Sequence, residues 1–281
     1  MKHAGMILLL LLATACNQGD DPEGTTSDTT TAPTVKADWY QPPLGASWQW
    51  QLQGEVNIGY NVDLYDIDLF ETDTTLITSL HQQGHKVICY FSAGSYEDWR
   101  SDKSDFPAAT LGNPLDGWPG ERWLDIRSSA IRAIMEKRLD LARSKGCDGV
   151  EPDNVDGYQN NPGFPLTADD QLGYNKFLAI AAHERGLAIG LKNALDQIPQ
   201  LEPHFDFSVN EQCHEYDECD TLTPFIRAGK PVFNAEYQQK YITNTGAARD
   251  QLCTDSSKRK FSTLVLPLLL DDTFRFDCGA L

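Results

Sequence analysis

Eight short apolar runs recur along this 281-residue chain, and their spacing constrains the fold more than any other feature. They read "SWQWQL", "VDLYDIDLF", "KVICYFS", "DGVEPDN", "LAIGLKN", "FDFSVNE", "PVFNAEY" and "FSTLVLPLLL". Each is short and rich in β-branched or aromatic residues, as strands buried on both faces are. Amphipathic stretches separate several of them. "SSAIRAIMEKRLDLARSKG" spaces Ile131, Ile134, Leu139 and Leu141 for one helical face, opens on serines fit to cap it and stops at Gly146. "TADDQLGYNKFLAIAAHERG" repeats the plan, with Thr167 as cap, Leu172, Phe177 and Ile180 facing inward, and Gly186 at the end. "DTTLITSLHQQG" is a shorter version. Strands alternating with helices predict an α/β fold, a (β/α)8 TIM barrel in one domain. An open doubly wound sheet is the alternative, but no GxGxxG follows any run, so a dinucleotide fold has little support.

The first 15 residues are expected to be removed. Lys2 and His3 lead into "MILLLLLATAC", whose apolar core is too short to remain as a membrane span. "LATAC" resembles the bacterial lipoprotein cleavage box, in which Cys16 becomes the lipid-bearing first residue, although Ala13 stands where Leu is more usual. An ordinary secretory signal with a stray cysteine is the alternative. Residues 16–37 hold almost no large apolar side chains and cannot offset their ordering entropy, which makes them a flexible, lipid-anchored linker. The barrel is expected over residues 38–281, exported as a monomer and touching a membrane only through its lipid.

A formal charge of −18 argues against nucleic acid as a partner, because phosphate would be repelled. It suits a cationic substrate, or solubility alone. Besides Cys16 there are six cysteines, an even number, which in an exported chain suggests disulfides. Sequence spacing favours Cys213–Cys219 and Cys253–Cys278, leaving Cys89–Cys147. Zinc is the rival, but no CxxC pair is present, and neither metal nor cofactor is expected.

In a TIM barrel, chemistry collects where strands end and the following loops begin. The ends of the runs here are unusually polar. The second offers Asp63, Asp66 and Asp68, the third Tyr90 and Ser92, and the fourth Glu151, Asp153 and Asn154. The fifth offers Lys192 and Asn193, the sixth Asn210 and Glu211, the seventh Glu236 and Tyr237, and the eighth Asp271 and Asp272. Loops that converge on one mouth would gather these groups into one acidic cleft. Alternation places Gly149, Glu151 and Asp153 on one face of the fourth strand, with Asp153 at the rim and Glu151 one layer deeper. Glu151 reads either as a cleft residue or as a buried acid paired to Lys192 on the next strand.

The ordered set "WQWQL", "YDIDLF", "VICYFSAGSYEDWR", "GCDGVEPDNVDGY", "GLAIGLKN", "VNEQC" and "VFNAEY" resembles the endo-α-1,4-polygalactosaminidases of glycoside hydrolase family 114. The resemblance runs from Trp48 to about Asp272. It implies an endo-acting TIM-barrel hydrolase of α-1,4-linked galactosamine and N-acetylgalactosamine polysaccharide, with no cofactor. The family's carboxylate pair falls on Asp153, from EPDN, and Glu211, from the NE pair. Glycoside cleavage needs one carboxylate on the ring and one carboxylic acid on the leaving oxygen. Asp153 is assigned as nucleophile and Glu211 as acid/base in a retaining reaction, though the sequence fixes the pair better than the roles.

A polymer of this kind carries ammonium groups wherever it is de-acetylated, which gives the other acids a use. Asp66, Asp68, Glu151, Glu236 and Asp271 are candidates to bind it, together with Ser92, Asn154, Lys192 and Asn210. Asn154 and Lys192 would also keep Asp153 ionised. Trp50, Tyr90, Tyr96, Trp99, Tyr158 and Tyr237 could stack on sugar faces, and Trp50 and Tyr90 would serve equally as barrel core. Two rival readings differ in class. One is a surface lipoprotein that binds a cationic polysaccharide without cutting it. The other is Schiff-base chemistry at Lys192, which requires a neutral amine that neighbouring carboxylates oppose.

Overall fold

Each apolar run becomes a strand. In the computed structural model, which describes residues 38–280, they are β1 (Trp48–Gln51), β2 (Leu64–Asp68) and β3 (Lys86–Ser92), then an insertion of β4 (Ser95–Glu97), β5 (Leu111–Pro114) and β6 (Glu121–Leu124). The barrel resumes with β7 (Gly149–Asp153), β8 (Ala188–Lys192), β9 (Phe207–Glu211), β10 (Val232–Glu236) and β11 (Ser262–Val265), and β12 (Phe276–Asp277) follows. Parallel pairing runs β1-β2-β3-β7-β8-β9-β10-β11, and β12 lies antiparallel on β11. The expected signal peptide, Cys16 and the linker lie outside the described residues. Among the described residues no helix is long and apolar enough to cross a membrane.

Closure of the barrel depends on the C-terminal segment. Among the described residues, β1 and β11 share no regular ladder. Single bonds join them instead: the Trp48 indole donates to Ser262 O at 2.9 Å, and the Ser262 hydroxyl to Ala46 O at 2.6 Å. Higher up, Arg275, just before β12, donates to Trp48 O at 2.8 Å and to Gln49 Oε1 at 2.7 Å. Leu52 N donates to Leu270 O at 3.0 Å above that.

Period-2 alternation sorts the strands into two cores. Trp48, Trp50, Leu64, Ile88, Ala188, Phe207, Val209, Phe233, Ala235 and Leu264 fill the barrel interior. Tyr65, Ile67, Val87, Cys89, Phe91, Val150, Ile189, Leu191 and Val232 face the helices. The main helices are capped as their ends suggest: α1 (Thr74–Gln82) by Asp73, and α2 (Ser129–Lys145) by Ser128, with Gly146 ending it at φ 90°. Thr167 and Asp170 form a capping box on α3 (Ala168–His183). Later connections carry α4 (Ile198–Leu201), α5 (Thr223–Arg227), α6 (Gln239–Ile242) and α7 (Ala248–Arg259).

Three expectations are corrected here. The buried face of α3 is Gln171, Tyr174, Asn175, Leu178 and Ala181, while Ile180 is 54% exposed and Leu172 and Phe177 are half-buried. Polar side chains turn inward because they hold backbone: Tyr174 donates to Ala93 O at 2.7 Å and Asn175 to Val155 O at 3.0 Å. Leu141 on α2 is likewise half-buried, with Met135, Arg138 and Ala142 on the inner face. Asp63 precedes β2, at the end opposite the mouth, and receives Ser47 N at 2.7 Å.

The three disulfides follow the spacing. Cys89–Cys147 ties β3 to the turn before β7, Cys213–Cys219 closes the loop after β9, and Cys253–Cys278 fastens α7 to the segment after β12. Disulfides persist in oxidising compartments, so the folded domain belongs to an exported protein.

The seam can be tested. Arg275→Ala would strand Trp48 O and Gln49 Oε1 and cost about 2 kcal/mol. For a domain of this size the melting temperature should fall by roughly 4–8 °C with the circular dichroism spectrum unchanged. An unaltered melting curve would mean that the seam holds without the arginine.

Candidate active site

The interior changes from apolar to charged towards the carboxyl ends of the strands. Lys192, the last residue of β8, is 3% exposed and points its ammonium at three carboxylates. Glu151 Oε1 lies at 3.1 Å, Asp153 Oδ1 at 3.2 Å and Glu211 Oε2 at 3.4 Å. Burial works against the charge, but Asp153, Glu151 and Glu211 outweigh it and hold Lys192 well above the usual lysine range. Its face is closed by the Trp50 ring at 4.8 Å and the Tyr90 ring at 5.8 Å. An ammonium ringed by three carboxylates is poorly placed to attack a carbonyl, which argues against the Schiff-base reading.

Asp153 and Glu211 are held alike. Asp153 accepts from the Tyr90 hydroxyl at 2.9 Å and from Asn154 N at 2.7 Å. Glu211 accepts from the Tyr237 hydroxyl at 2.5 Å and from Asn193 Nδ2 at 3.2 Å. Burial first, then the facing carboxylates, raise both phenols well above their ordinary value, so each keeps its proton as a donor. The oxygens that share Lys192 lie 3.2 and 3.4 Å from it, so they stand no more than 6.6 Å apart, the sum of the two. The backbone turns sharply just past each of these strands: Asn154, Asn193 and Gln212 all have positive φ, at 59°, 46° and 63°. Asparagine tolerates that region and glutamine pays more for it, of order 1 kcal/mol.

Behind the pair sits a second layer. Glu151 is fully buried, and burial lifts it to about 7 despite Lys192. Burial also raises Asp66 well above its ordinary value, and the charge and hydrogen bond of neighbouring Glu151 add to this. Apart from Asp66 and the Lys192 ammonium, the Glu151 oxygens meet no hydrogen-bond donor among the described residues.

A cavity of about 1350 Å³ opens above these groups. Trp50, Asp68, Tyr90, Asp153, Asn154, Lys192 and Glu211 line it, as the strand ends suggested. Both Asp68 oxygens, however, are taken up by Arg100, at 2.9 and 2.6 Å. Other candidates lie outside the lining. Asp66, Glu151, Ser92 and Tyr237 support lining residues from behind, and Asn210 and Glu236 fall on the outward face of their strands. Asn210 donates to Asn193 at 3.2 Å, and Glu236 accepts from His214 N at 2.9 Å. Asp271 is corrected outright: β11 stops at Val265, and Asp271 closes a local turn onto Thr273. Asp272 instead receives Gln49, Asn57 and Tyr60 near the seam. Tyr96 packs on Phe106, and Tyr158 donates to Asp196.

Of the remaining wall only Trp99 was read from the sequence. The sheet of β4, β5 and β6 contributes Glu97, Trp99, Leu115, Asp116, Trp118, Glu121 and Trp123, and Leu268 and Leu269 face it from the eighth loop. Trp99, Trp118, Leu268 and Leu269 are 42–56% exposed, so the cavity opens to solvent between an aromatic lip and an aliphatic one. The sheet can sit so close because Gly94 has no side chain: a Cβ there would fall 1.6 Å from Asn154 O. As for metal, Cys213, His214 and Cys219 converge, but both thiols are spent in a disulfide. His81 and His85 are occupied separately by Asp148 and Val62 O.

A TIM barrel that sets two carboxylates across one buried ammonium, at the floor of an acid-rich cleft, defines a hydrolase of glycosidic bonds. The chain belongs to glycoside-hydrolase family GH114, whose model matches residues 29–280. It is similar to Ega3 of Aspergillus fumigatus, a structure in complex with galactosamine, at 46% identity and a TM-score of 0.81 over 85% of this chain and 97% of that one. The glycoside hydrolase domain of PelA from Pseudomonas aeruginosa shares the fold, at 16% identity and a TM-score of 0.64 over 81% and 96% of the two chains. No curated protein matches the sequence.

Glu236 allows a test of the buried acids away from the cleft. It is fully buried, and burial lifts it from 4.5 to about 7. Below pH 4.5 it is protonated folded or unfolded and costs nothing. Between 4.5 and 7 only the unfolded chain ionises, so stability falls as pH rises, by up to about 3 kcal/mol. Glu236→Gln cannot titrate and should unfold in urea at higher concentration than the parent at pH 8, with little difference at pH 4.5. Equal differences at both pH values would contradict the assignment.

Proposed function

We propose that the protein is an endo-acting hydrolase of α-1,4-linked galactosamine polysaccharide, in which Asp153 is the nucleophile and Glu211 the general acid and base. The observation that carries this reading is the Asp153–Lys192–Glu211 constellation, with one tyrosine on each carboxylate. The similarity to Ega3, crystallised with galactosamine, supports the choice of sugar. The acids lining the cavity, among them Glu71, Glu97, Asp116, Glu121 and Asp156, suit a chain of ammonium groups. The aromatic and aliphatic lips give pyranose faces something to stack on.

In the first step the Asp153 carboxylate bonds to the anomeric carbon as the glycosidic C–O bond breaks, and Glu211 gives its proton to the departing oxygen. In the second, Glu211 takes a proton from water, whose oxygen displaces Asp153 and restores the configuration. Lys192 neutralises the pair between steps, and Tyr90 and Tyr237 fix which oxygens face the ring. The domain works as an exported monomer, tethered through a lipid on Cys16; Cys16→Ser should leave the protein in the medium rather than in the membrane fraction.

Asp153→Asn and Glu211→Gln should each cut turnover of de-acetylated galactosaminan by at least about 10³-fold, with melting temperatures near the parent's. Mass spectrometry of the products and NMR of the first-formed anomer read out cleavage and retention together. Near-parental turnover in either well-folded variant would reject the assignment.

A further inference from the structure

The inserted sheet carries a carboxyl that this reaction does not use. Glu121 opens β6 directly opposite Glu97 on antiparallel β4. Like charges in such register repel, and the nearby cation does not serve both. Arg100 donates to Glu97 at 2.8 Å and to both oxygens of Asp68, which leaves Glu121 with no ion pair among the described residues. Its Oε2 accepts from the Ser95 hydroxyl at 2.6 Å. From there a chain of bonds runs through Ser92 (2.6 Å) and Asn154 Nδ2 (2.9 Å), and Asn154 N reaches Asp153 at 2.7 Å. Glu121 is thus fixed relative to the proposed nucleophile. Oε1 takes no hydrogen bond from the described residues, although the residue is only 8% exposed and lines the cavity. That oxygen faces the cavity and is a ready receptor for a cationic group of a ligand.

We infer that Glu121 reads the nitrogen substituent of the sugar bound beside Asp153, pairing with the ammonium of a de-acetylated galactosamine residue and selecting against its N-acetylated form. The inference rests on the substrate proposed above. Burial lifts the Glu121 carboxyl to about 7; the Ser95 hydrogen bond opposes this, Glu97 and Asp153 add to it, and Arg100 pulls the other way. Tyr90, which also faces it, is neutral. Below about 7 a protonated Glu121 can donate a hydrogen bond to an acetamide but offers an ammonium no charge. Above it the carboxylate favours the ammonium. Preference for de-acetylated sugar therefore rises with pH through this range, until the amine itself loses its proton.

The test compares binding of an α-1,4-galactosamine tetramer and its fully N-acetylated counterpart by calorimetry, using Glu211→Gln as the non-cleaving parent. Glu121→Gln keeps the shape and an acceptor for Ser95. Adding it should reduce the preference for the de-acetylated tetramer at pH 7.5 about tenfold, leaving affinity for the acetylated one within about threefold. Glu136→Gln, which removes an exposed charge on α2 outside the cavity lining, should leave the ratio unchanged. In the parent itself the ratio should rise from pH 6 to pH 7.5, a readout that needs no change at Glu121. An unchanged ratio, equal losses for both tetramers, or a pH-independent parental ratio would overturn the inference while wild-type cleavage of the polymer kept the proposed function. A parent that bound neither tetramer, with no cleavage by wild type, would overturn both.

Discussion

Everything above the apolar floor of the barrel depends on one buried ammonium. Lys192 is paid for in desolvation, and a buried cation persists only where its partners offset that cost together. Its three carboxylates come from β7 and β9, the strands on either side, so the geometry of the pair is a property of three consecutive strand ends. The raised pKa of both Asp66 and Glu151 follows from the same constraint. One ammonium cannot balance every acid around it, and the most deeply buried ones give up their charge instead.

The inserted sheet answers a different need. A barrel mouth alone offers a shallow floor, and a polymer requires walls. β4, β5 and β6 raise one wall from residues between β3 and β7, and the loop beyond β11 raises the other. The approach of Gly94 to the Asn154 carbonyl couples that wall to the turn that presents Asp153. Wall and floor are therefore packed directly together, which a specificity residue on the wall needs if it is to act on a bond at the floor.

Much of this was legible in the sequence, for identifiable reasons. Buried parallel strands leave short β-branched runs, so all eight barrel strands could be read, and alternation alone placed Glu151 below Asp153 and beside Lys192. The same rule, applied strictly, would have turned Asn210 and Glu236 outward, since each stands one residue out of phase with an inward neighbour. Asp271 was misplaced because "PLLL" continues the apolar run after the ladder has stopped at Val265. Ile180 was misplaced because α3 buries Gln171 and Asn175 for their hydrogen bonds, and a hydrophobic pattern has no term for a polar side chain that satisfies a loop. Glu121 and Trp118 left no local signal. Their importance comes from pairing between strands over 20 residues apart and from the cavity that pairing encloses.

The seam bears on how such a chain reaches its folded state. Arg275 meets Trp48 across 227 residues of sequence, so the barrel cannot be completed until almost the whole domain is present. Until then β1 and β11 remain open edges, able to pair with the wrong partner. Contacts this distant are slow to form, because the loop entropy is lost before they reward it. Cys253–Cys278 fastens this same segment, so the last stretch of chain to arrive is also the one that an oxidising compartment locks in place.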